Sequence, residues 1–131
     1  MQRRRASCRC GALSVTCAGT PSRVSVCHCL ACQKRTGSAF SVQARWPADK
    51  VTFAGESRVW ARTADSGGTV LYHFCPECGS TVWYVTESAD DSVAVPVGLF
   101  TDPAFPAPTR SVYEARRHEW VEIAGEVEHH D

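Results

Sequence analysis

The segment "YHFCPECGSTVWY" (residues 72–84) combines a close pair of cysteines with two short aromatic strands. Cys75 and Cys78 are separated by two residues, and Pro76 restricts the turn between them. Gly79 permits the positive φ that follows the second ligand of such a turn. The flanking residues are rich in the aromatic and β-branched types that favour strands. The segment therefore predicts a β-hairpin whose tip is a zinc knuckle.

A single knuckle supplies two sulfurs, whereas a structural zinc site is closed by four protein ligands. The segment "CRCG" (8–11) offers a second pair, because residues two apart on an extended chain point to the same side. A metal that clips distant segments together restricts the unfolded chain strongly, which favours a long-range site. Two of the cysteines Cys27, Cys29 and Cys32 could complete the knuckle instead, and the alternative for Cys8 and Cys10 is two free thiols on a strand. The predicted four-thiolate set is Cys8, Cys10, Cys75 and Cys78.

The segment "VCHCLACQKRTGS" (26–38) places three more cysteines within six positions. Cys27 and Cys29 lie on an extended segment and Cys32 in the first turn of a short predicted helix, so the three sulfurs can converge on one point. Catalytic zinc sites keep one position open, and three protein ligands fit that pattern. A three-thiolate centre is electron-rich and suits an incoming thiol held as a nucleophilic thiolate. We therefore predict a site that adds sulfur to an electrophilic carbon, such as that of an aldehyde.

A competing interpretation leaves these three cysteines as a free trio with a catalytic thiol, or makes Cys29 and Cys32 a redox pair. Thioredoxin-like redox pairs are typical of βαβ surroundings, which this sequence does not contain. The remaining cysteine, Cys17, lies in the apolar phase of a predicted strand. It is predicted to be a buried, unreactive thiol.

Several polar residues lie close to the cysteine clusters. His28 is a neighbour of two ligands on an extended segment, so it is predicted to point the opposite way and to support the site or pack beside it. Lys34 and Arg35 follow the cluster and are candidates to attract an anionic substrate or to lower the thiol pKa values. The alternative for this pair is the solvated face of a short helix. His73 is predicted to be a hydrogen-bonded histidine within a sheet.

The hydrophobic pattern predicts an all-β domain, because short alternating segments are separated by turns rich in glycine and proline. The single helical segment is 30–37, which Gly37 ends. Pro96 indicates an edge strand or a bulge. The predicted strands are residues 12–17, 39–46, 51–55, 57–63, 69–74, 81–85 and 93–98. The aromatic residues expected to lie mostly in the core are Trp46, Trp60, Trp83, Tyr84 and Phe100.

The length of 131 residues predicts one domain. Fourteen basic residues balance fourteen acidic ones, which argues against a broad nucleic-acid surface. The arginines at 3–5 are expected to form a solvated chain end, and the polar tail at 126–131 is expected to be mobile. No apolar run is long enough for a membrane span or a signal peptide, so we expect a cytoplasmic protein without membrane association. Eight cysteines in that compartment indicate metal or catalytic sites, and the sequence carries no indication of oligomeric state.

Four segments together make the chain resemble the glutathione-dependent formaldehyde-activating enzyme family. The resemblance covers about residues 7–122 and leaves a polar tail at 123–131. All seven cysteines of the family pattern are present, in the same order and spacing. The segments are "SCRCGALSVTC" (7–17), "VCHCLACQKRTGSAF" (26–40), "YHFCPECGSTVWY" (72–84) and "SVYEARRHEWVEI" (111–123).

The resemblance implies a β-tent fold of packed antiparallel sheets with two zinc ions per chain. It implies a structural zinc on the four-cysteine set, and a catalytic zinc with a free fourth position on Cys27, Cys29 and Cys32. The family reaction joins glutathione to formaldehyde as S-(hydroxymethyl)glutathione, which is a carbon–sulfur lyase reaction in reverse. One fold and metal centre can serve different tasks, so the thiol and the aldehyde stay open. The candidate groups for docking the carboxylates of glutathione are Lys34, Arg35, Arg45, Arg58 and Arg62.

A binding module is the alternative to an enzyme. In that case both metals are structural, and the sheet surface recognises a protein or another macromolecule. A large exposed apolar or basic patch would support that alternative. The neutral net charge does not.

Overall fold

The computed structural model describes residues 2–87 and 91–131. This part of the chain contains eleven β-strands, one α-helix and three short 3-10 helices. None of its helices has the length and apolar character needed to cross a membrane. The strands are β1 (Arg3–Ser7), β2 (Ser14–Ala18), β3 (Arg23–Cys27), β4 (Ser41–Pro47), β5 (Val51–Ala54), β6 (Arg58–Thr63), β7 (Thr69–Phe74), β8 (Thr81–Thr86), β9 (Ser92–Pro96), β10 (Arg110–Val112) and β11 (Glu128–His129). The helix α1 spans Leu30–Thr36, and the 3-10 helices span Ala48–Lys50, Val97–Phe100 and Glu114–Arg116.

The strands form two sheets. The smaller sheet has three antiparallel strands in the order β1-β2-β5. The larger sheet has eight strands in the order β11-β10-β3-β4-β9-β8-β7-β6. Its strands pair antiparallel except for β10, which runs parallel to both of its neighbours. The prediction of a mainly β fold with packed, largely antiparallel sheets and one short helix is confirmed.

The main hydrophobic core draws on one face of each sheet. Trp46 on β4 is fully buried there, 5.6 Å from the ring of Phe100, and its indole N–H donates to the carbonyl of Gly19 at 3.0 Å. Burial raises the pKa of the Cys17 thiol to about 12, which fits the predicted unreactive cysteine. Strand residues in this core include Val15, Cys17, Ala44, Trp46, Val93 and Val95.

The strand β4 is buried on both faces. The alternation predicted for residues 39–46 accounts for the burial of its apolar face only. Ser41 and Gln43 are buried on the face opposite Trp46. Their side chains hydrogen-bond each other at 3.0 Å, and the Gln43 amide donates to Ser25 at 3.2 Å. The side chains of β4 thus alternate between an apolar face, which packs in the core, and a polar face. The polar face extends over other strands of the larger sheet.

Both chain ends differ from expectation. The arginines at 3–5 belong to β1, which pairs with β2, and the guanidinium of Arg4 lies 5.2 Å from the ring of Phe105. In the polar tail, β11 pairs with β10, and His129 lies 2.7 Å from the carboxylate of Glu114. Neither segment has the apolar alternation of a strand. Pairing with another strand orders both of them.

Two further expectations are wrong. Trp60 is 59% exposed rather than in the core, because β6 is the edge strand of the larger sheet. Pro96 marks neither an edge nor a bulge: β9 lies inside the sheet, and Pro96 is its last residue, paired with Gln43.

Candidate active site

The four cysteines predicted as one ligand set come together at one end of the β7–β8 hairpin. All four sulfurs lie within 4.8 Å of one another. The Cys10 sulfur is 3.7 Å from those of Cys8 and Cys75. A tetrahedral site with zinc–sulfur bonds near 2.3 Å has sulfur–sulfur edges of about 3.8 Å. The donor set therefore fits a closed zinc site.

Two tight turns aim these sulfurs. Gly11 has a φ of 85° after the first pair, and Gly79 has a φ of 80° after the second. The N–H of Gly79 donates to the carbonyl of Cys75 at 2.8 Å, which closes the knuckle turn. Hydrogen bonds with the side chain and backbone of Ser80 lower the pKa of Cys78 to about 5, which favours the thiolate form of this sulfur at neutral pH.

The second cluster gathers Cys27, Cys29 and Cys32, whose sulfurs also lie within 4.8 Å of one another. Cys27 ends β3, and Cys29 is the N-cap of α1, where its sulfur accepts the backbone N–H of Cys32 at 3.3 Å. The helix ends at Gly37, whose φ of 71° is left-handed. The end of β3 and the capped first turn of α1 therefore bring the three sulfurs together.

His28 points away from this cluster, as the alternation of an extended segment predicts. Its ring is fully buried, and its Nε2 lies 2.9 Å from the hydroxyl of Ser111 on β10. Its backbone N–H donates to the carbonyl of Val112 at 3.1 Å. His28 thus anchors the backbone between Cys27 and Cys29 without joining the sulfurs. His73 is likewise held within its sheet, by a 2.9 Å hydrogen bond to Ser57 and by stacking on Trp83.

The three sulfurs share protons when they are not bound to a metal. Hydrogen bonds with Cys29 and Cys32, together with burial, raise the pKa of Cys27 far above its ordinary value. Hydrogen bonds from Cys27 and Cys29 lower the pKa of Cys32 to about 2. Cys32 is therefore a thiolate at neutral pH. Such a soft, partly charged trio suits zinc, which would keep its fourth position open when bound by these three sulfurs.

This cluster opens into a cavity of about 510 Å³. The floor of the cavity is the polar face of the larger sheet, and the side chains of Leu30, Ala31 and Cys32 from α1 form part of its wall. Tyr72 and Tyr84 are buried in the wall, and burial raises the pKa of Tyr84 above its ordinary value. The charged residues that line the cavity are Arg23, Arg45, Arg62, Arg110, Arg116 and Asp65.

The strand register explains why the arginines share one face with Cys27. On β3 the residues Arg23, Ser25 and Cys27 alternate onto the cavity side. Arg45 on β4 lies directly opposite Arg23, and Arg110 on β10 lies opposite Ser25. The alternating polar residues of "RVSVC" (23–27) are a signal for this cavity face that was not recognised in the sequence. The cavity residues Arg110 and Arg116 were not predicted either.

The other candidate docking residues are placed differently. Lys34 and Arg35 line a neighbouring cavity of about 460 Å³, which shares Arg62 and Tyr72 with the first. The Arg35 guanidinium lies 5.1 Å from the ring of Tyr84, whereas Lys34 is exposed. Arg58, on the edge strand β6, does not line either of these two cavities.

Comparison with known proteins agrees with this geometry. Residues 3–116 match the sequence profile of the family described as glutathione-dependent formaldehyde-activating enzyme. A search among curated proteins finds no match. A crystal structure of a Rhodobacter sphaeroides protein has a similar fold, with a TM-score of 0.58 and 17% sequence identity, covering 76% of this chain and 91% of that chain. The family match spans both cysteine clusters, and the chain therefore belongs to the glutathione-dependent formaldehyde-activating enzyme family.

Proposed function

We propose that this protein is a zinc-dependent enzyme of the carbon–sulfur lyase type, which adds a small, glutathione-like thiol to formaldehyde or another small aldehyde. The observation that carries the proposal is the three-sulfur cluster of Cys27, Cys29 and Cys32 at the wall of a 510 Å³ cavity. A closed structural site is filled by protein ligands, whereas this one faces a space large enough for substrates.

The two cysteine clusters take different roles in this proposal. Cys8, Cys10, Cys75 and Cys78 hold a structural zinc that ties the N-terminal turn to the β7–β8 hairpin. Cys27, Cys29 and Cys32 hold a second zinc. When bound there, that zinc supplies a free coordination position at which a thiol is held as a nucleophilic thiolate. A reducing compartment such as the cytoplasm keeps the protein thiols available for both sites.

The reaction joins the thiol sulfur to the carbonyl carbon of the aldehyde. The π electron pair of the carbonyl moves to its oxygen, and the proton lost by the thiol ends on that oxygen, so nothing is oxidised or reduced. Tyr84 is the proposed donor to the oxygen, because its hydroxyl is buried in the cavity wall and its raised pKa keeps it protonated. The arginines of the cavity orient anionic groups of the thiol near Cys32.

The test is carried out on zinc-loaded protein. Formaldehyde consumption with glutathione is followed by NMR against the uncatalysed rate, and bound zinc is counted per chain. We expect two zinc ions and a rate above background. The Cys29→Ser variant should stay folded with one zinc and no rate gain, whereas Cys78→Ser should impair folding. No thiol binding and no rate gain in the parent protein would overturn the enzyme proposal. Equal unfolding of both variants would favour two structural sites and a binding module.

A further inference from the structure

We propose that Tyr113 is a substrate-positioning residue, whose ring covers the thiol bound at the three-cysteine cluster and favours extended, peptide-like thiols over small ones. This inference rests on the proposed function and names a specificity-determining residue of the same cavity. It follows from the backbone conformation of Tyr113, from its exposure and from its place beside the cluster.

Tyr113 has a left-handed backbone, with a φ of 56° and a ψ of 41°. In this conformation the Cβ atom of an L-residue crowds the neighbouring backbone, so aromatic residues adopt it rarely and at an energetic cost. The turn itself requires the conformation, because it leads from β10 into the 3-10 helix Glu114–Arg116, whose Arg116 N–H donates to the Tyr113 carbonyl at 3.0 Å. Glycine or asparagine would make the same turn at a lower cost. The presence of a tyrosine therefore needs a separate reason.

The local structure does not supply that reason. In the described part of the chain, Thr101 is the other non-glycine residue with a positive φ, and its hydroxyl donates to the carbonyl of Phe100 at 2.8 Å. The side chain of Tyr113 makes no such hydrogen bond to the turn that it begins. Tyr113 is also 44% exposed, so burial of its ring offsets little of the cost. Residues held in strained conformations cluster at functional sites, where the strain serves to aim a group.

Tyr113 lies directly beside the segment that carries the three cysteines. Val112 pairs with Cys27 across the parallel strands β10 and β3, and its carbonyl accepts the backbone N–H of His28 at 3.1 Å. The residue that follows Val112 is therefore held next to the cluster. The side chain of Tyr113 lines the same 510 Å³ cavity as Cys27 and Cys29.

A second large apolar side chain is exposed at this place. Leu30 follows Cys29 directly, is 54% exposed and lines the same cavity as Tyr113. Exposed apolar surface beside a cavity is typical of ligand contact. A peptide-like thiol whose sulfur lies at the cluster can pack its amide planes and methylene groups against the tyrosine ring. A small thiol such as 2-mercaptoethanol offers the ring almost no surface to cover.

The segment that holds the ring is anchored on both sides. The Glu114 N–H donates to the carbonyl of His130 at 2.9 Å, and the Glu114 carboxylate lies 2.7 Å from His129. The side-chain amide of Gln33 on α1 donates to the carbonyl of Arg116 at 3.2 Å. A contact surface that is already fixed loses little conformational freedom on binding. The ring of Tyr113 is therefore a preformed wall of the site.

The experiment measures stability and thiol binding in the same variant. The zinc-loaded parent protein and Tyr113→Gly are titrated with glutathione and with 2-mercaptoethanol by calorimetry, and their urea midpoints are compared. We expect Tyr113→Gly to bind glutathione about tenfold more weakly and to change the affinity for 2-mercaptoethanol by less than about twofold. Its urea midpoint should stay equal or rise, because glycine relieves the left-handed strain. A tyrosine with a purely structural role would lose stability instead.

Matched variants separate the ring from the backbone. Tyr113→Phe keeps the ring and should bind glutathione as the parent does. Thr101→Gly makes the same backbone change at a left-handed position outside this cavity and should leave glutathione binding unchanged. Zinc content establishes that each variant is loaded.

Four outcomes would overturn the inference: unchanged glutathione affinity in Tyr113→Gly, an equal loss for both thiols, a lowered urea midpoint, or a loss in Tyr113→Phe as large as that in Tyr113→Gly. Those outcomes leave thiol addition to aldehydes intact. Absence of glutathione binding and of rate gain in the parent protein refutes the proposed function itself.

Discussion

His28 and Ser111 are 83 positions apart in the chain, yet their side chains meet at 2.9 Å and both residues are fully buried. His28 stands between Cys27 and Cys29 of the three-cysteine cluster, and Ser111 lies on β10, the strand that carries Arg110 into the cavity. This one hydrogen bond therefore connects the cysteine-bearing segment to the strand beside it. Ser111 is in turn hydrogen-bonded to Glu114, which pairs with His129.

Loss of the Ser111 hydroxyl should destabilise the fold. In the Ser111→Ala variant the Nε2 of His28 stays buried without its partner, and we expect the free energy of unfolding to fall by about 1–3 kcal/mol. Denaturation by urea measures the difference. Ser22→Ala is the matched control, because the Ser22 hydroxyl donates to a carbonyl at an exposed position where water replaces it. Equal losses in the two variants would contradict the importance of burial.

The pair of Glu114 and His129 should make stability depend on acid pH. Burial acts to raise the pKa of Glu114, but hydrogen bonds from His129 and Ser111 outweigh it, so the pKa lies below its ordinary value of 4.5. The native carboxylate then binds fewer protons than the unfolded one below pH 4.5, and its stabilising contribution is lost as the pH falls through the native pKa. The stability advantage of the parent protein over Glu114→Gln should be full above pH 4.5 and shrink below it. An advantage independent of pH would contradict this account, as measured by urea denaturation at several pH values.

Cys29 should have two separable roles. Its sulfur caps α1 through the N–H of Cys32, and it also belongs to the three-sulfur cluster. Serine retains an N-cap acceptor and alanine does not, so Cys29→Ser should be more stable than Cys29→Ala by about 1 kcal/mol when both carry zinc at the four-cysteine site alone. Both variants should lose one bound zinc. Thermal unfolding and metal counting test the two roles independently, and equal stability of the two variants with one zinc each would refute the capping role.

Arg35 and Lys34 should differ despite being neighbours on α1. The Arg35 guanidinium lies over the ring of Tyr84, whereas Lys34 is exposed. We expect Arg35→Ala to destabilise the protein by about 0.5–1 kcal/mol through the lost cation–π contact. Lys34→Ala should change stability by less than about 0.5 kcal/mol, as is usual for an exposed residue. A larger effect at Lys34, measured by chemical denaturation, would overturn this ordering.

Local patterns predicted much of the fold. The strands β7 and β8, the helix α1 and its end at Gly37 all follow from alternation, turn residues and capping within a few positions of the chain. The strands β1, β3, β10 and β11 were not predicted, because each has five residues or fewer and is ordered by its pairing with other strands. Burial of β4 on both faces was not predicted either, because it depends on the elements that pack against each face of the larger sheet.

The sequence by itself predicted the two cysteine clusters that the structure brings together, because cysteine spacing and the side preference of an extended chain are local properties. The opposite orientation of His28 follows from the same local rule. Only the tertiary structure decided which charges surround the cluster: Arg23, Arg45 and Arg110 reach one cavity because β3, β4 and β10 are neighbours in the larger sheet. Strand order depends on long-range pairing and on the burial of whole faces, and no short stretch of sequence encodes it.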